Sequence, residues 1–261
     1  MRLDTCSGGA YTDGMAMHEY AERCSEQVDE ATLSWQVVHG AAHKLDDGCV
    51  RVGRVEGDGA CMYLSTMWTT RWSNVPNKHA NALLLALDQV LNSNDIAKHA
   101  REWDRTFVSA NILADVPDRI LHGQTARLVS WEFAASPLWD RDLLYVIAKQ
   151  KSRNWGADIT TYSYASVNNA WAEKLLGKTI PASGRVRATI LFPSCDRVSV
   201  TTGEGMSTKT ITLDHLMTTS VGGWIGPCLF NTCFKAPLIK ANVHELGALR
   251  AYVESIAGQY E

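Results

Sequence analysis

The sequence lacks the features that mark several large classes of protein. Its 25 Lys and Arg residues are scattered and are outnumbered by 28 Asp and Glu residues, so no basic surface for nucleic acid is predicted. No stretch reaches 18 uninterrupted apolar residues, and the N-terminal residues lack the apolar core of a signal peptide. We therefore expect a protein that neither spans a membrane nor is secreted, and that has no nucleic acid partner.

Cysteine, histidine and serine are present but not in patterns that carry chemistry. The seven cysteines form an odd set without a CxxC pair, and Cys228 and Cys233 are not spaced like the ligands of a zinc knuckle. His39 and His43 fall in a predicted strand and turn rather than on one helix face, and no serine lies in a G-x-S-x-G motif. We expect reduced thiols in a cytoplasmic protein, with no metal and no cofactor.

What the sequence does contain is a regular succession of helical and strand patterns. Apolar spacing close to 3.6 residues predicts a helix at 13–28, and a run that is apolar on most sides predicts a buried helix at 76–91, followed by a short helix at 95–103. A further helical run is predicted after Gly226, and Pro237 should kink or restart it. Alternating and β-branched runs predict strands at 34–40, 49–55, 60–70, 107–113, 119–122, 127–133, 143–149, 160–167, 185–192, 197–202 and 208–216. This order predicts an α+β fold whose large antiparallel sheet must close on itself or wrap around something.

The domain organisation is predicted to be simple. No repeat of fixed period and no low-complexity tract divides the chain. We expect a disordered N-terminal tip at 1–12 and a single domain at 13–261.

Four short segments, in this order, resemble signatures of the START family of lipid-transfer domains. They are REWD at 101–104, SWEF at 130–133 followed by RDLLY at 141–145, SGRVR at 183–187 and GGWIGP at 222–227. The resemblance covers about residues 100 to 257. It implies a helix-grip fold, in which a curved antiparallel sheet wraps around a long C-terminal helix and leaves an internal hydrophobic cavity between them.

Strand alternation and the resemblance together select the candidate ligand contacts. Successive side chains of a strand face opposite ways, so Leu143, Tyr145 and Ile147 share one face, as do Trp131 and Phe133. The resemblance implies a head-group aromatic at Trp131 and a head-group carboxylate at Asp104, through cation–π attraction and charge pairing. The predicted ligand-binding residues are Asp104, Trp131, Phe133, Leu143, Tyr145, Ile147 and Leu191.

Several positions depart from the known members of the family. Leu143 and Leu191 stand where the choline-phospholipid binders have further cage residues, and Ala100 stands where they have an arginine for the phosphate. Ile147 replaces the arginine of the cholesterol binders, whose glutamate aligns approximately with Glu132. The cavity so predicted is more apolar than either pattern, which favours a sterol-like, pigment-like or acyl ligand.

The resemblance implies a monomeric, non-enzymatic carrier or sensor of one lipid, with transient or peripheral contact to membranes and a tunnel gated by the C-terminal helix. One alternative is a cyclase-like or aromatase-like enzyme of the wider helix-grip superfamily, with Asp104, Glu132 or His215 as general acid or base. Another is a ligand-free interaction module whose cavity is filled by its own Trp side chains.

Three residue groups also have purely structural interpretations. Trp103 and Trp131 are also compatible with simple core packing, and Asp104 with capping of a helix end. Arg141 and Asp142 are expected to make a structural ion pair or a turn contact rather than to act in catalysis.

Overall fold

One large β-sheet organises the part of the chain that the structure describes. A computed structural model describes residues 17–39, 49–52, 63–92, 94–116, 125–134, 140–154, 156–203, 207–220 and 235–260. The strands are β1 Gln36–His39, β2 Cys49–Val52, β3 Tyr63–Pro76, β4 Phe107–Val116, β5 Thr125–Phe133, β6 Arg141–Asn154, β7 Ala157–Ser166, β8 Val186–Arg187, β9 Thr189–Thr202 and β10 Thr208–Ser220. Across the sheet they follow the order β1-β2-β3-β10-β9-β7-β6-β5-β4 with antiparallel neighbours, and β8 pairs in parallel with β6.

The helices lie on both faces of this sheet. They are α1 Met17–Ser34, α2 Asn77–Asn92, α3 Ile96–Trp103, α4 Asn169–Leu176 and α5 Lys235–Ala257. Helices α2 and α5 pack on one face, here called the inner face, whereas α1 and α4 pack on the other, the outer face. The predicted α+β class and the helix-grip arrangement, a curved sheet around a long C-terminal helix, are confirmed.

The period of two along each strand divides the core between these faces. On β6, Tyr145 and Ile147 belong to the inner cluster with α2 and α5, whereas Leu144 and Val146 belong to the outer cluster beside α4. Strands buried on both sides read as continuous apolar runs, because neither face is left for polar residues. The sheet therefore needs helices on both faces, and the inner set encloses the site described below.

Helix α1 packs on the outer face through polar contacts as well as apolar ones. The Tyr20 hydroxyl donates a hydrogen bond of 2.8 Å to the backbone carbonyl of Tyr164. Arg197 on β9 forms an ion pair of 3.1 Å with the buried Asp214 and another of 2.6 Å with Asp29 on α1. These contacts fix the predicted N-terminal helix against β7, β9 and β10.

Helix α4 was not predicted from the sequence. Its start is capped by the side chain of Asn168, which accepts a 2.8 Å hydrogen bond from the Trp171 amide, and it ends at Gly177 with φ of 66°. Asn at the N-cap and a left-handed Gly at the C-terminus are the usual end signals of a helix. With eight residues, the helix is too short to show a clear apolar period between them.

Two of the sequence signatures meet at strand β8. Asp142 forms an ion pair of 2.8 Å with Arg187, and its backbone carbonyl accepts a hydrogen bond of 2.9 Å from the Ala188 amide. The Ser183 hydroxyl donates a further bond of 3.0 Å to the Asp142 carboxylate. The predicted structural ion pair is thus confirmed for Asp142, with Arg187 as its partner.

Helix α5 begins later than the sequence suggested. Its first residue is Lys235, so Pro237 lies in the first turn, where the missing backbone N–H costs nothing. Gly226, the predicted strand at 119–122 and the predicted tip at 1–12 lie outside the described residues. The described cysteines Cys24, Cys49 and Cys195 are free and buried. No helix within the described ranges is long and apolar enough to cross a membrane.

Candidate ligand-binding cavity

A cavity of about 340 Å³ lies between the inner face of the sheet and the inner helices. Helix α2 contributes Val90 and Leu91, helix α3 contributes Ile96, and α5 contributes Leu249. The strands complete the wall with inward-facing side chains from β3, β5, β6, β7, β9 and β10. Residues far apart in sequence therefore line one cavity.

Most of the predicted ligand-binding residues line this cavity. Six of the seven do so: Asp104, Trp131, Phe133, Leu143, Tyr145 and Ile147. Trp131 is packed edge-on against Phe107, with ring centroids 5.0 Å apart, and it also contacts the inner core. Both interpretations of Trp131 therefore describe the same side chain, and its contact with a ligand stays a prediction.

Leu191, the seventh predicted residue, is not among the described residues that line the cavity. Among the described lining residues its place is taken by Ile190, the preceding residue of β9. Because neighbours in an extended strand face opposite sides, the side chain of Leu191 is directed away from the space that Ile190 lines. Ile190 is therefore the residue of this pair that lines the cavity, and ligand contact at this strand stays a prediction.

Asp104 both ends a helix and lines the cavity. Its backbone amide donates to the Ala100 carbonyl at the end of α3 with a distance of 2.9 Å. Its carboxylate accepts hydrogen bonds of 2.8 and 2.7 Å from the amide and hydroxyl of Thr106. Burial raises the pKa of Asp104 above its ordinary value, although the bonds from Thr106 oppose that effect.

Glu132, proposed above as an alternative acid or base, is held outside the cavity. Its carboxylate accepts a 2.7 Å hydrogen bond from the Ser109 hydroxyl and forms a 2.5 Å ion pair with Arg185. The residue follows Trp131 in β5, so strand alternation turns it to the other face. It is not among the described residues that line the cavity.

A polar network on the sheet side of the cavity was only partly foreseen. The register of the sheet places His215 of β10 directly between Asp196 of β9 and Trp68 of β3. His215 Nδ1 lies 2.6 Å from Asp196 Oδ1, and the ring stacks on the Trp68 indole at 4.7 Å between centroids. The Tyr164 hydroxyl donates a short hydrogen bond to the other oxygen of Asp196.

This network changes the acidity of its members. Burial lowers the pKa of His215, but the charge and hydrogen bond of Asp196, helped by Glu245, raise it above the ordinary value overall. Burial and the Asp196 charge also raise the pKa of the Tyr164 hydroxyl. Tyr164 therefore remains a neutral donor, and His215 more readily carries a positive charge.

Glu245 on α5 faces the network from the helix side. Burial and the nearby charge of Asp104 raise its pKa from 4.5 to about 7, against the lowering effect of His215. Glu245 was not predicted from the sequence, because a single Glu on an amphipathic helix is usually exposed to solvent. Its spacing of four from Ala241 and Leu249, which also line the cavity, was the available signal.

Comparison with known proteins supports the architecture. No protein-family model matches the sequence, and no curated protein matches it either. Among solved structures, human STARD10 is 17% identical, with a TM-score of 0.53, and the match covers 93% of this chain and 83% of that one. Human StAR-related lipid transfer protein 5 is 12% identical, with a TM-score of 0.54, over 89% of this chain and 97% of that one. The chain therefore has the fold of the START domains.

Proposed function

We propose that this protein binds one hydrophobic molecule of lipid character in the cavity and carries or senses it. The observation that carries the proposal is the cavity of about 340 Å³ between sheet and helices, lined mainly by aliphatic and aromatic side chains. A concave, mostly apolar pocket with a few convergent polar groups is the usual form of a small-molecule site. The fold shared with a protein named as a lipid transfer protein gives further support.

The size of the cavity limits the proposed ligand. Sites for drug-sized molecules typically span about 300–1,000 Å³, and the present cavity lies near the lower end of that range. This favours a compact or single-chain molecule, such as a sterol-like, pigment-like or acyl compound, over a two-chain phospholipid. Burying roughly 500 Å² of its apolar surface at about 25 cal/mol per Å² stabilises the complex by about 12 kcal/mol, before association costs.

Carrying the ligand requires that it leave one membrane and enter another. We propose that the protein does so as a cytoplasmic monomer that contacts membrane surfaces transiently, without making or breaking covalent bonds. A transfer assay between donor and acceptor vesicles distinguishes a carrier from a sensor, because a sensor binds the ligand without accelerating its exchange.

A second candidate function has one observation in its favour. The hydrogen bond between His215 Nδ1 and Asp196 fixes the ring and leaves Nε2 available for proton transfer, as in many general acid–base sites. Such an enzyme converts its ligand, whereas a carrier returns it unchanged. Recovery of a chemically altered ligand after incubation with the protein would show that the protein is an enzyme.

Replacement of Trp131 by alanine tests the proposed binding site. We expect Trp131→Ala to weaken binding of a fluorescent sterol analogue about tenfold, since an aromatic contact and its buried area are lost from the cavity wall. Fluorescence titration measures the affinity, and urea unfolding measures stability in parallel. The control is Trp171→Ala, which removes an indole from the outer cluster and should lower stability without changing affinity.

The outcome separates the two interpretations of Trp131. If affinity is unchanged and only stability falls, by about 3–5 kcal/mol as for a buried Trp, then Trp131 is a core residue and not a ligand contact.

A further inference from the structure

Three polar groups in the lining of the cavity make no hydrogen bond to another described residue. They are the Tyr145 hydroxyl, the Nε2 atom of His215 and the carboxyl group of Glu245, and all three residues line the cavity. The other ring nitrogen of His215 is already bonded to Asp196, and 16% of the side chain remains accessible. The indole nitrogens of Trp68 and Trp103, which also line the cavity, are buried without a hydrogen-bond partner among the described residues. Polar groups left without partners are rare in folded proteins, so this part of the lining is suited to a polar group on the ligand.

Contacts between β3 and α5 bring Glu245 and His215 to facing walls of the cavity. Thr66 donates a hydrogen bond of 3.2 Å to the amide oxygen of Asn242, three residues before Glu245 on α5. Trp68, two residues after Thr66 on the same face of β3, stacks on His215. Tyr145 packs edge-on against Tyr164, which donates to Asp196.

The pKa effects agree with this arrangement. The charge of Glu245 raises the pKa of His215, and the charge of His215 lowers that of Glu245. Asp196 likewise raises the pKa of Tyr145. Helix α5 therefore presents Glu245 toward the part of the sheet that carries Tyr145 and His215.

The charges in the lining of the cavity are predominantly negative. Asp104, Asp196 and Glu245 all line it, whereas no Lys or Arg occurs among its described lining residues. His215 is the one cationic candidate in that lining, and Asp196 already pairs with it. An anionic head group here would face carboxylates without a free guanidinium or ammonium to neutralise it.

Hydrogen-bonding capacity then distinguishes the remaining ligand classes. A carboxylate or phosphate oxygen cannot donate to Glu245, and an ammonium group cannot accept from the Nε2–H of a charged His215, the form that its raised pKa favours. A hydroxyl group does both, because one oxygen donates one hydrogen and accepts through its lone pairs. It also remains compatible when Glu245 is protonated, since it then accepts from the acid and donates to a neutral imidazole.

We propose that Glu245 and His215 form the polar recognition pair of the cavity and that they select an uncharged alcohol, with Tyr145 as an auxiliary partner. The proposal rests on the proposed function, because it assigns the head group of the molecule that the cavity binds. Glu245 is the specificity-determining residue, since it sets the penalty against an anionic head group. The apolar remainder of the ligand lies along Leu143, Ile147 and Trp131.

A series of ligands with one chain and three head groups tests this proposal. Dodecan-1-ol, dodecanoate and dodecylammonium displace a fluorescent apolar probe from the lipid-stripped protein at pH 8, below their aggregation concentrations. We expect the alcohol to bind at least about tenfold more tightly than either charged compound, which corresponds to about 1.4 kcal/mol. Glu245→Gln should narrow the difference between alcohol and carboxylate at least fivefold, mainly by improving carboxylate binding.

The matched control is Glu254→Gln on the same helix. Its carboxylate accepts from the Trp72 indole at 2.8 Å and pairs with Arg250, and it is not among the residues lining the cavity. The same change of charge at this position should leave the order of the three affinities unaltered. Comparable effects in the two variants would show a general charge effect and overturn the assignment of Glu245.

Failure of this proposal is distinguishable from failure of the proposed function. If the apolar probe binds but dodecanoate or dodecylammonium binds as tightly as the alcohol, the recognition pair is wrong and the hydrophobic site stands. If neither the probe nor any of the three compounds binds, the proposed function is itself contradicted.

Discussion

Replacing Glu245 by glutamine is expected to stabilise the ligand-free protein by about 3 kcal/mol at pH 8 and to change its stability little at pH 4. The pKa of Glu245 rises from 4.5 to about 7 in the folded state, because burial and the nearby Asp104 disfavour its charge. One pKa unit is worth about 1.36 kcal/mol, so a rise of this size corresponds to about 3 kcal/mol. Urea unfolding of both proteins between pH 4 and pH 8 measures the effect.

The direction of the pH dependence follows from the proton affinity of Glu245, which is higher in the folded than in the unfolded chain. Below pH 4.5 the Glu245 carboxyl is protonated in both the folded and the unfolded chain, so it resembles glutamine. As pH rises from 4.5 to about 7, the unfolded chain releases the proton first, and the free energy of unfolding falls. Above pH 7 the folded protein carries the full cost of a buried charge, which the glutamine variant lacks.

His215, Asp104 and Asp88 also have shifted pKa values, and each adds its own pH dependence to both proteins. Subtracting the unfolding free energy of the wild type from that of the variant at each pH cancels these contributions, as far as they do not depend on Glu245. Glu254→Gln, at a residue whose side chain is 45% exposed, should change stability by less than about 1 kcal/mol at either pH. Parallel curves for wild type and Glu245→Gln would contradict the placement of Glu245.

Replacing Asp196 by alanine is expected to cost about 3–5 kcal/mol of unfolding free energy. The change removes the acceptor for both the Tyr164 hydroxyl and His215 Nδ1, and it leaves a buried imidazole without its counter-ion. Breaking a buried pair on one side typically costs that much, because the remaining group keeps its desolvation penalty. The pKa of His215 should fall as well, which NMR titration of the ring measures.

The control for this change is Asp29→Ala. Asp29 also forms an ion pair of 2.6 Å, with Arg197, but its side chain is 65% exposed, so its loss should cost less than about 1 kcal/mol. If Asp196→Ala is no more destabilising than Asp29→Ala, the polar network does not support the cavity wall. The loss of unfolding free energy in Asp196→Asn should lie between those of Asp196→Ala and Asp29→Ala, since an amide oxygen can still accept from Tyr164.

The apolar side of the cavity could be predicted from the sequence because it follows from strand alternation. Leu143, Tyr145 and Ile147 share a face at spacing two, whichever strands lie beside them. The signature segments then assigned that strand to a known fold. Trp131 and Phe133 were predicted because they belong to one of these segments and share one face of their strand. These positions required no knowledge of the register between strands.

The polar side could be predicted only in part, because the network around His215 depends on that register. Asp196, His215 and Trp68 become neighbours only through the pairing of β3, β10 and β9, whose partners lie up to about 150 residues apart. A shift of one residue would direct each of them to the outer face. Leu191 shows the same dependence, since its neighbour Ile190, and not Leu191 itself, lines the cavity.

Helix geometry explains the remaining omissions. Glu245 faces the cavity because of the rotation of α5 about its axis, which is set by packing on α2 and the sheet rather than by its own spacing. Helix α4 is too short for periodicity to reveal it, whereas the predicted strand at 185–192 covers β8 and the start of β9. Short elements are fixed by their end caps and by distant partners such as Asp142.

The most direct test of the central claim is native mass spectrometry of the purified protein after incubation with a cellular lipid extract. We predict a one-to-one non-covalent complex, and organic extraction of the complex should return an uncharged hydrophobic alcohol of the same added mass. Ala241→Phe, which places a ring in the cavity from α5, should remain folded and lose the complex. A wild-type protein that stays ligand-free, or that binds equally well with the cavity filled, would contradict the account.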